Sequence, residues 1–277
     1  MPEGDTIFRS AQTLHRALAG HAVESFRTVL AQLARVNDDT PLAGRVVERV
    51  ESRGKHLLIF FSGDLILRTH MRMNGSWHIY RRGERWQAPS AAMRLVIATA
   101  EFEAVAFNVP VAEFRTAETL ARDRAVQALG PDLLDDAPDA AEALTRLRAL
   151  GDAPVEDALL DQRVAAGIGN VFKSEVLFEA GVRPATPVSA LNDEALTRLL
   201  AIARRQLSRN APRLPARRQF RSQGRNTTGR LNPAESLWVY GRAGKLCLKC
   251  AAVIERDQRG EAARLTYYCP VCQPARR

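Results

Sequence analysis

Four cysteines within the last 31 residues constrain the fold more than any other feature of the sequence. They are Cys247, Cys250, Cys269 and Cys272, spaced as C-x2-C-x18-C-x2-C, and the chain has no others. Paired CxxC turns at this separation indicate a structural zinc site, because each turn offers two thiolates and Zn²⁺ takes four tetrahedral ligands. Two disulfides are the alternative. Four protein thiolates leave no open metal position, so we expect one structural zinc ion, a small ribbon and a reducing, cytoplasmic setting.

Basic charge is concentrated in the same quarter of the chain. The 277 residues carry a net charge of +9, with only four lysines among 40 basic residues. Residues 201–277 hold 17 basic and 4 acidic side chains, whereas residues 1–200 hold 23 and 27. Arginine suits phosphate recognition, so we expect a nucleic-acid partner; a basic surface without a partner is the alternative. The most apolar run, 56–70, is interrupted by Gly63, Asp64 and Arg68, so we expect no membrane partner.

Hydrophobic periodicity divides the chain into a strand-rich part and a helical part. Apolar residues at helical spacing predict a helix over 5–20, and residues 21–115 are strand-like. Runs 46–61 and 65–73 predict a hairpin that turns at 62–64. Residues 116–137 resemble a connector, four helical segments follow, and 209–232 is rich in Arg, Pro and Gly. We therefore predict an α+β chain with an N-terminal β-sandwich or flattened barrel carrying one leading helix. The predicted domains are 1–128, 129–236 and 237–277.

One helical hairpin contains a glycine-rich turn. In LLDQRVAAGIGNVFKSEVLFEAGVRP, residues 159–184, Gly167 and Gly169 allow a tight turn and a close approach of the backbone to a partner. Asn170 is placed to cap the next helix, whose N–H groups and dipole can bind phosphate. By itself the pattern is also typical of an ordinary capped hairpin.

The letters of this segment match a known family. LLDQ…GIGN…E.LF.AG..P occurs together with an MPEG start, SRGKHLL (52–58), VYGRAGKLCLKC (239–250) and RLTYYCPVCQ (264–273). With these motifs the chain resembles the formamidopyrimidine-DNA glycosylase / endonuclease VIII family over essentially its whole length. The resemblance implies a catalytic N-terminal β-sandwich domain, a helix–two-turn–helix DNA-binding domain and a zinc ribbon.

The resemblance also implies a mechanism for the unusual start. Met1 would be removed, and the secondary amine of Pro2 would attack C1′ of a damaged nucleoside. An α-amino group has a pKa of about 7.7–8.0, so part of it is neutral at cellular pH. The products are a free base and a Schiff base that permits β,δ-elimination. Glu3 would be the carboxyl group that moves protons. The implied activity is that of a bifunctional DNA glycosylase/AP lyase.

Further site residues follow from the same resemblance. Lys55 joins the catalytic set by binding phosphates around the lesion, and Asn170 and Arg264 would grip the DNA backbone. Arg72, Met73 and Asn74 match the loop that fills the gap left by an everted nucleotide. From spacing alone, Lys55 is a solvated strand lysine and Met73 a core methionine.

A departure from the family pattern favours one branch. The formamidopyrimidine branch carries a second wedge loop with an Arg and a Phe, and residues 107–114 lack that pair. We therefore expect an endonuclease VIII-like enzyme, monomeric, that acts on double-stranded DNA containing an oxidised pyrimidine or an abasic site. Preference for oxidised purines, or a non-catalytic damaged-DNA-binding protein, are the alternatives. Residues 209–232 are expected to contact the flipped base, with no single residue assigned.

Overall fold

The computed structural model describes residues 2–212, 224–259 and 264–275. These divide into two compact units, the first ending at Gln127 and the second beginning at Ala128. None of the helices in these ranges combines the length and the apolar character that a membrane crossing requires.

Two four-stranded antiparallel sheets and a leading helix form the first unit. Its elements are α1 (Gly4–Leu18), β1 (Ser25–Thr28), α2 (Ala31–Asp39), β2 (Val47–Arg53), β3 (His56–Phe61), β4 (Leu65–His70), β5 (Ser76–Arg81), β6 (Met93–Ala98), β7 (Phe102–Phe107), β8 (Val111–Arg115), α3 (Ala117–Ala121) and α4 (Arg124–Gln127). The sheets have strand orders β1-β6-β7-β5 and β2-β3-β4-β8.

The core of this unit lies between the sheets. The apolar face of α1, with Ile7 and Leu14, packs into one cluster with Leu57 from β3 and Leu95 from β6. This burial explains the helical spacing seen in the sequence. A second cluster covers the outer face of β3 and β4 with residues of α3 and α4, so every residue of β3 is buried. The predicted sandwich with a leading helix is confirmed.

Three local predictions in this unit were wrong or incomplete. The run 46–61 is two strands, β2 and β3, joined by the two-residue turn Gly54-Lys55. Gly54 adopts φ +56°, which glycine reaches without steric cost. Helix α2 was missed because Leu33 is its only buried residue. The expected connector 116–137 contains α3 and α4. The hairpin turn at 62–64 is confirmed between β3 and β4.

Helices and a two-stranded ribbon form the second unit. Its elements are α5 (Ala140–Arg148), α6 (Val155–Leu160), α7 (Asn170–Ala180), α8 (Asp193–Asn210), β9 (Glu255–Arg259) and β10 (Arg264–Tyr268). Helix α7 lies at the centre, because residues 170–178 are all buried and the helix packs against α6, α8 and β10. The predicted helical region with a cysteine ribbon is confirmed.

Candidate functional site

The start of the chain is mounted on helix α1. Glu3 is the N-cap residue, and its carbonyl oxygen accepts hydrogen bonds from the N–H groups of Thr6 (2.9 Å) and Ile7 (3.1 Å). The Glu3 side chain is fully buried, whereas Pro2 is partly exposed. Because the apolar face of α1 is fixed in the core, Pro2 and Glu3 have a rigid support.

Lys55 lies in a turn rather than in the strand run predicted for it. It is the second residue of the turn between β2 and β3, where Arg53 pairs with His56. The lysine is partly exposed. A two-residue turn between paired strands fixes the Lys55 backbone while leaving its long side chain able to reach outward.

Arg72, Met73 and Asn74 form an exposed turn one residue after the end of β4. Arg72 adopts φ +50°, and its N–H donates to His70 Nδ1 over 3.1 Å. The N–H of Gly75 donates to the carbonyl of Met71 over 2.9 Å, and a Cβ at Gly75 would lie 2.5 Å from that oxygen. Met73 is 62 % exposed, so the alternative of a core methionine is wrong.

A pair of histidines, His56 buried and His70 partly buried, supports this turn. His56 and His70 face each other across β3 and β4, with ring centroids 5.0 Å apart. Arg68 Nη1 lies 3.2 Å from His56 Nδ1, and the guanidinium also pairs with Glu113. Burial lowers the pKa of His56 to about 4, with His70 and Arg68 adding to the shift. Burial followed by nearby cations, Arg72 first, lowers the pKa of His70 to about 4. Both imidazoles are therefore neutral at neutral pH.

The histidine pair was missed in the sequence. Only the register that sets His56 opposite His70 brings the two rings together. A strand pairing derived from the 62–64 turn could have found it.

The connection between β7 and β8 has no exposed wedge. It consists of residues 108–110, and Val109 is completely buried. Phe107 is buried as well, and Phe114 packs against Phe26 with ring centroids 5.7 Å apart. The aromatic side chains of residues 107–114 thus belong to the packing of the sandwich.

In the second unit, Asn170 contacts the ribbon instead of capping its helix. The N-cap of α7 is Gly169, and Asn170 is the first helical residue. Its Nδ2 donates to the carbonyl of Leu265 over 2.8 Å. The prediction of a capping Asn170 was therefore wrong. Arg264, the residue before Leu265, is exposed at the start of β10.

Two further polar residues of α7 hold neighbouring segments, and both were missed. Glu175 is fully buried and accepts hydrogen bonds from the N–H groups of Trp238 (2.8 Å), Val239 (2.9 Å) and Tyr240 (2.8 Å), and from the hydroxyl of Thr227. Burial raises the pKa of the Glu175 carboxyl, while these donors oppose the shift. Lys173 is buried against β10, with its Nζ 2.5 Å from Thr266 Oγ1.

The four cysteines form one cluster. Their sulfur atoms all lie within 4.8 Å of one another, and the shortest described separations are 3.5 Å. A disulfide needs about 2.05 Å, so the two-disulfide alternative does not fit. Four thiolates around Zn²⁺ at about 2.3 Å would be roughly 3.8 Å apart, and the cluster therefore fits a tetrahedral structural metal.

Part of the segment expected to contact a flipped base lies outside the described residues. The part that is not described comprises residues 213–223, which include Gln219. At its described margins, Asn210 Oδ1 accepts from the N–H of Asn226 over 2.8 Å, and Asn210 Nδ2 donates to the Asn226 carbonyl over 3.1 Å. Asn210 is buried, so residues 210 and 226 are held together.

Comparison with known proteins gives a consistent family. The model of the formamidopyrimidine-DNA glycosylase N-terminal domain matches residues 1–111, and that of the formamidopyrimidine-DNA glycosylase H2TH domain matches residues 129–211. The chain is 42 % identical to Probable endonuclease 8 2 of Streptomyces coelicolor, covering 99 % of this chain and 94 % of that protein. It is 39 % identical to the DNA-(apurinic or apyrimidinic site) lyase Nei2 of Mycolicibacterium smegmatis, covering 99 % and 100 %.

The fold also matches a solved structure. The Lactococcus lactis Fpg in complex with abasic-site DNA superposes with a TM-score of 0.82 at 21 % identity, covering 99 % of this chain and 100 % of that one. Since the family models match both units and the two relatives are similar over nearly their whole lengths, the chain belongs to the formamidopyrimidine-DNA glycosylase / endonuclease VIII family.

Proposed function

We propose that this protein is a bifunctional DNA glycosylase and AP lyase that acts through the amine of Pro2 once Met1 has been removed. The observation that carries the proposal is the start of α1, where a fully buried carboxyl, Glu3, follows Pro2 on a helix packed into the core. The names of the two relatives, an endonuclease 8 and an AP-site lyase, support the same activity.

The proposed reaction begins with the neutral secondary amine of Pro2. Its lone pair forms a bond to C1′ as the C1′–base bond breaks, and the base leaves with that electron pair and takes up a proton. Opening of the sugar ring gives an iminium ion, which acidifies the C2′ hydrogens. Loss of a C2′ proton expels the 3′ phosphate, a second elimination expels the 5′ phosphate, and water releases Pro2. Glu3 is the proposed proton carrier in these steps.

The proposed DNA contacts lie in both units. In the first unit, the ammonium of Lys55 binds phosphates, while the loop of Arg72, Met73 and Asn74 fills the gap in the base stack; the exposure of Met73 supports this role. In the second unit, Asn170 and Arg264 bind the backbone.

The proposed organisation keeps the boundaries 1–128, 129–236 and 237–277. The last of these segments is a ribbon held by one zinc ion on its four cysteines, because a closed four-thiolate set is the ligand set of structural zinc.

For the substrate we propose oxidised pyrimidines. The support is the short β7–β8 connection, in which no described aromatic side chain protrudes as a second wedge. Relatives named as endonuclease 8 favour the same branch. A preference for oxidised purines is the competing outcome of the substrate test below.

Borohydride trapping tests the proposal directly. The metal-loaded protein, with its mature terminus verified by mass, is incubated with duplexes that carry thymine glycol, a formamidopyrimidine or an abasic site. Borohydride reduces a Schiff base to a stable amine, so we expect a covalent adduct, and peptide mass spectrometry should place the sugar remnant on Pro2. The largest yield among the base lesions is expected for thymine glycol.

Two variants provide the controls. A non-cleavable N-terminal extension turns the Pro2 nitrogen into an amide, and it should abolish trapping on every duplex while leaving DNA affinity in place. Glu3→Gln should lose trapping on base lesions more than on abasic DNA, where the base has already departed. Binding to damaged duplex without any trapped species would instead favour a non-catalytic damaged-DNA-binding protein.

A further inference from the structure

A buried charged cluster joins three segments of the second unit. Of the chain's four lysines, all within the described residues, Lys173 alone is buried, with 1 % exposure. Its Nζ donates to Thr266 Oγ1 over 2.5 Å, and the Thr266 hydroxyl donates to Glu156 Oε2. Lys173 Nζ lies 3.8 Å from that carboxylate. The three residues come from α7, β10 and α6.

Burying this charged cluster costs free energy, and a core packed with apolar side chains would avoid that cost. Removing a lysine and a glutamate from water is unfavourable, and an apolar side chain of similar volume often stabilises a core as well or better. Buried ionic groups are best attested where they select one register or one arrangement of segments. The cluster is therefore a candidate for fixing how α6, α7 and β10 are positioned against one another.

This cluster can fix the register of β10, that is, which β10 side chains face α7 and α6. Side chains of a strand alternate between its two faces, so a slip of one residue would turn Thr266 away and present Leu265 or Tyr267 to the lysine. Leu265 has no polar side-chain atom. The hydroxyl of Tyr267 can donate and accept, but it lies at the far end of an aromatic ring and cannot take the place of the Thr266 Oγ1 in a packed interior. Only one register of β10 therefore satisfies the buried charges.

The same register determines the position of Arg264 at the start of β10. Asn170 Nδ2 donates to the Leu265 carbonyl over 2.8 Å, and Lys173 Nζ lies 3.5 Å from the same oxygen. Residues 170 and 173 thus hold the peptide group that joins Leu265 to Thr266, one residue beyond Arg264. We propose that Lys173, Thr266 and Glu156 form a positioning cluster that fixes β10 on α7 and so places Arg264 beside Asn170 for a shared grip on the DNA backbone. This inference rests on the proposed function, which assigns DNA contacts to Arg264 and Asn170.

A double-mutant cycle tests the inference in the full-length, metal-loaded protein. The affinity for a duplex with a non-cleavable abasic-site analogue is measured across a series of salt concentrations. Arg264→Ala should lower the salt slope by about 1 in the wild-type background, as expected for one lost phosphate contact. In the Lys173→Met background, Arg264→Ala should change neither affinity nor slope appreciably, because Arg264 is no longer positioned.

The controls separate positioning from stability. Lys55→Ala should weaken binding by the same factor in both backgrounds, because Lys55 lies in the first unit. A lower folded fraction would reduce the active concentration and leave the fold-change caused by Arg264→Ala unaltered. Thr266→Val, which keeps the shape of the side chain, should act like Lys173→Met and provides the test if the lysine variant does not fold. Thr266→Ser should retain the wild-type behaviour.

Two outcomes overturn the inference. The first is an equal fold-change for Arg264→Ala in the wild-type, Lys173→Met and Thr266→Val backgrounds. The second is no effect of Arg264→Ala in the wild-type protein, which removes the DNA contact assigned to this arginine. In that second case, persistence of the borohydride adduct on Pro2 would show that the proposed lyase activity is unaffected.

Discussion

The two units hold their proposed DNA contacts in different ways. In the first unit, Lys55 and the turn around Met73 are fixed by short backbone turns, and the supporting bond from the Arg72 N–H to His70 spans two residues. In the second unit, the supporting bonds join distant segments. Glu175 and Val239 are 64 residues apart, and Thr266 and Glu156 are 110 residues apart.

This difference has a consequence for stability. A turn closed by its own backbone depends on the few residues around it, so damage there should stay local. The buried polar contacts of α7 connect the ribbon, the segment 237–240 and α6, so damage to one of them should spread through the second unit. The following predictions test this contrast.

Metal removal should have the largest effect, and it should be confined to the second unit. Binding of structural zinc contributes about 10–16 kcal/mol in small zinc peptides. Chelation, or the variant Cys269→Ser, should abolish hydrogen-exchange protection in β9 and β10 and lower it in α7. Protection of β3 and β4 should remain unchanged. Protection of the ribbon that survives complete metal loss would show that packing against α7 is sufficient to hold it.

Loss of the Glu175 carboxyl should be the next largest effect. Glu175→Ala leaves three N–H groups without their acceptor, that of Val239 buried and those of Trp238 and Tyr240 partly buried. A buried donor without a partner has a desolvation penalty of about 1–3 kcal/mol. We expect the free energy of unfolding to fall by about 3–5 kcal/mol in urea titrations. Glu142→Ala in helix α5 is the control, because the ion pair between Glu142 and Arg146 is partly solvated and should contribute no more than about 1 kcal/mol. Equal losses for the two variants would contradict the role assigned to Glu175.

A rigid turn in the first unit should respond more weakly and locally. Gly75→Ala places a Cβ 2.5 Å from the Met71 carbonyl oxygen, and the required backbone shift should cost about 2 kcal/mol. Exchange protection should fall near residues 70–76 only. Gly224→Ala is the matched control, because a Cβ there meets no atom of the described residues within 4 Å. A drop in protection throughout the sandwich would refute the local character of the turn.

The same contrast explains what could be predicted from the sequence. Helix α1 and the 62–64 turn were predicted because their signals are local: one buried helix face, and a Ser-Gly-Asp turn between apolar runs. The cysteine cluster was predicted because its spacing is itself the signal. Gly54-Lys55 was missed as a turn because a single glycine between charged residues is a weak hairpin signal.

The missing parts of the candidate site share one physical cause. The side chains that support it act through partners that no local pattern specifies. Lys173 meets Thr266 across 93 residues, and His56 meets His70 only through strand register. Helix α7 is buried on all sides, so its sequence does not alternate between a polar, solvent-exposed face and an apolar, buried face. The buried positions of its polar residues therefore could not be predicted from the sequence pattern. The family resemblance supplied Pro2, Glu3 and the DNA-contacting residues, whose roles stay predictions.

The smallest predicted effect is a pH response of the first unit, which contains all five histidines of the chain. The folded pKa of His56, about 4, lies below its ordinary value of 6.5. As the pH falls below about 6.5 the unfolded chain takes up a proton before the folded protein does, so stability falls until the pH reaches about 4. Between pH 7.5 and 6.0 this amounts to at most about 1 kcal/mol for His56, and His70 shifts stability in the same direction.

Native-state hydrogen exchange at these two pH values should therefore show weaker protection in β3 and β4, after correction for the intrinsic exchange rate. Helices α5 and α8 of the second unit provide the internal control, because neither contains a histidine or the buried Glu175. His56→Phe keeps a ring against His70 and removes one titrating group, so the loss of protection in β3 and β4 should become smaller. If both units lost protection equally, or if His56→Phe left the response unchanged, the neutral histidine pair would not be the source of the pH dependence. A response confined to β3 and β4 would instead mean that the turn carrying Met73 is weakened by acid through His70, while α7 keeps its hold on the ribbon.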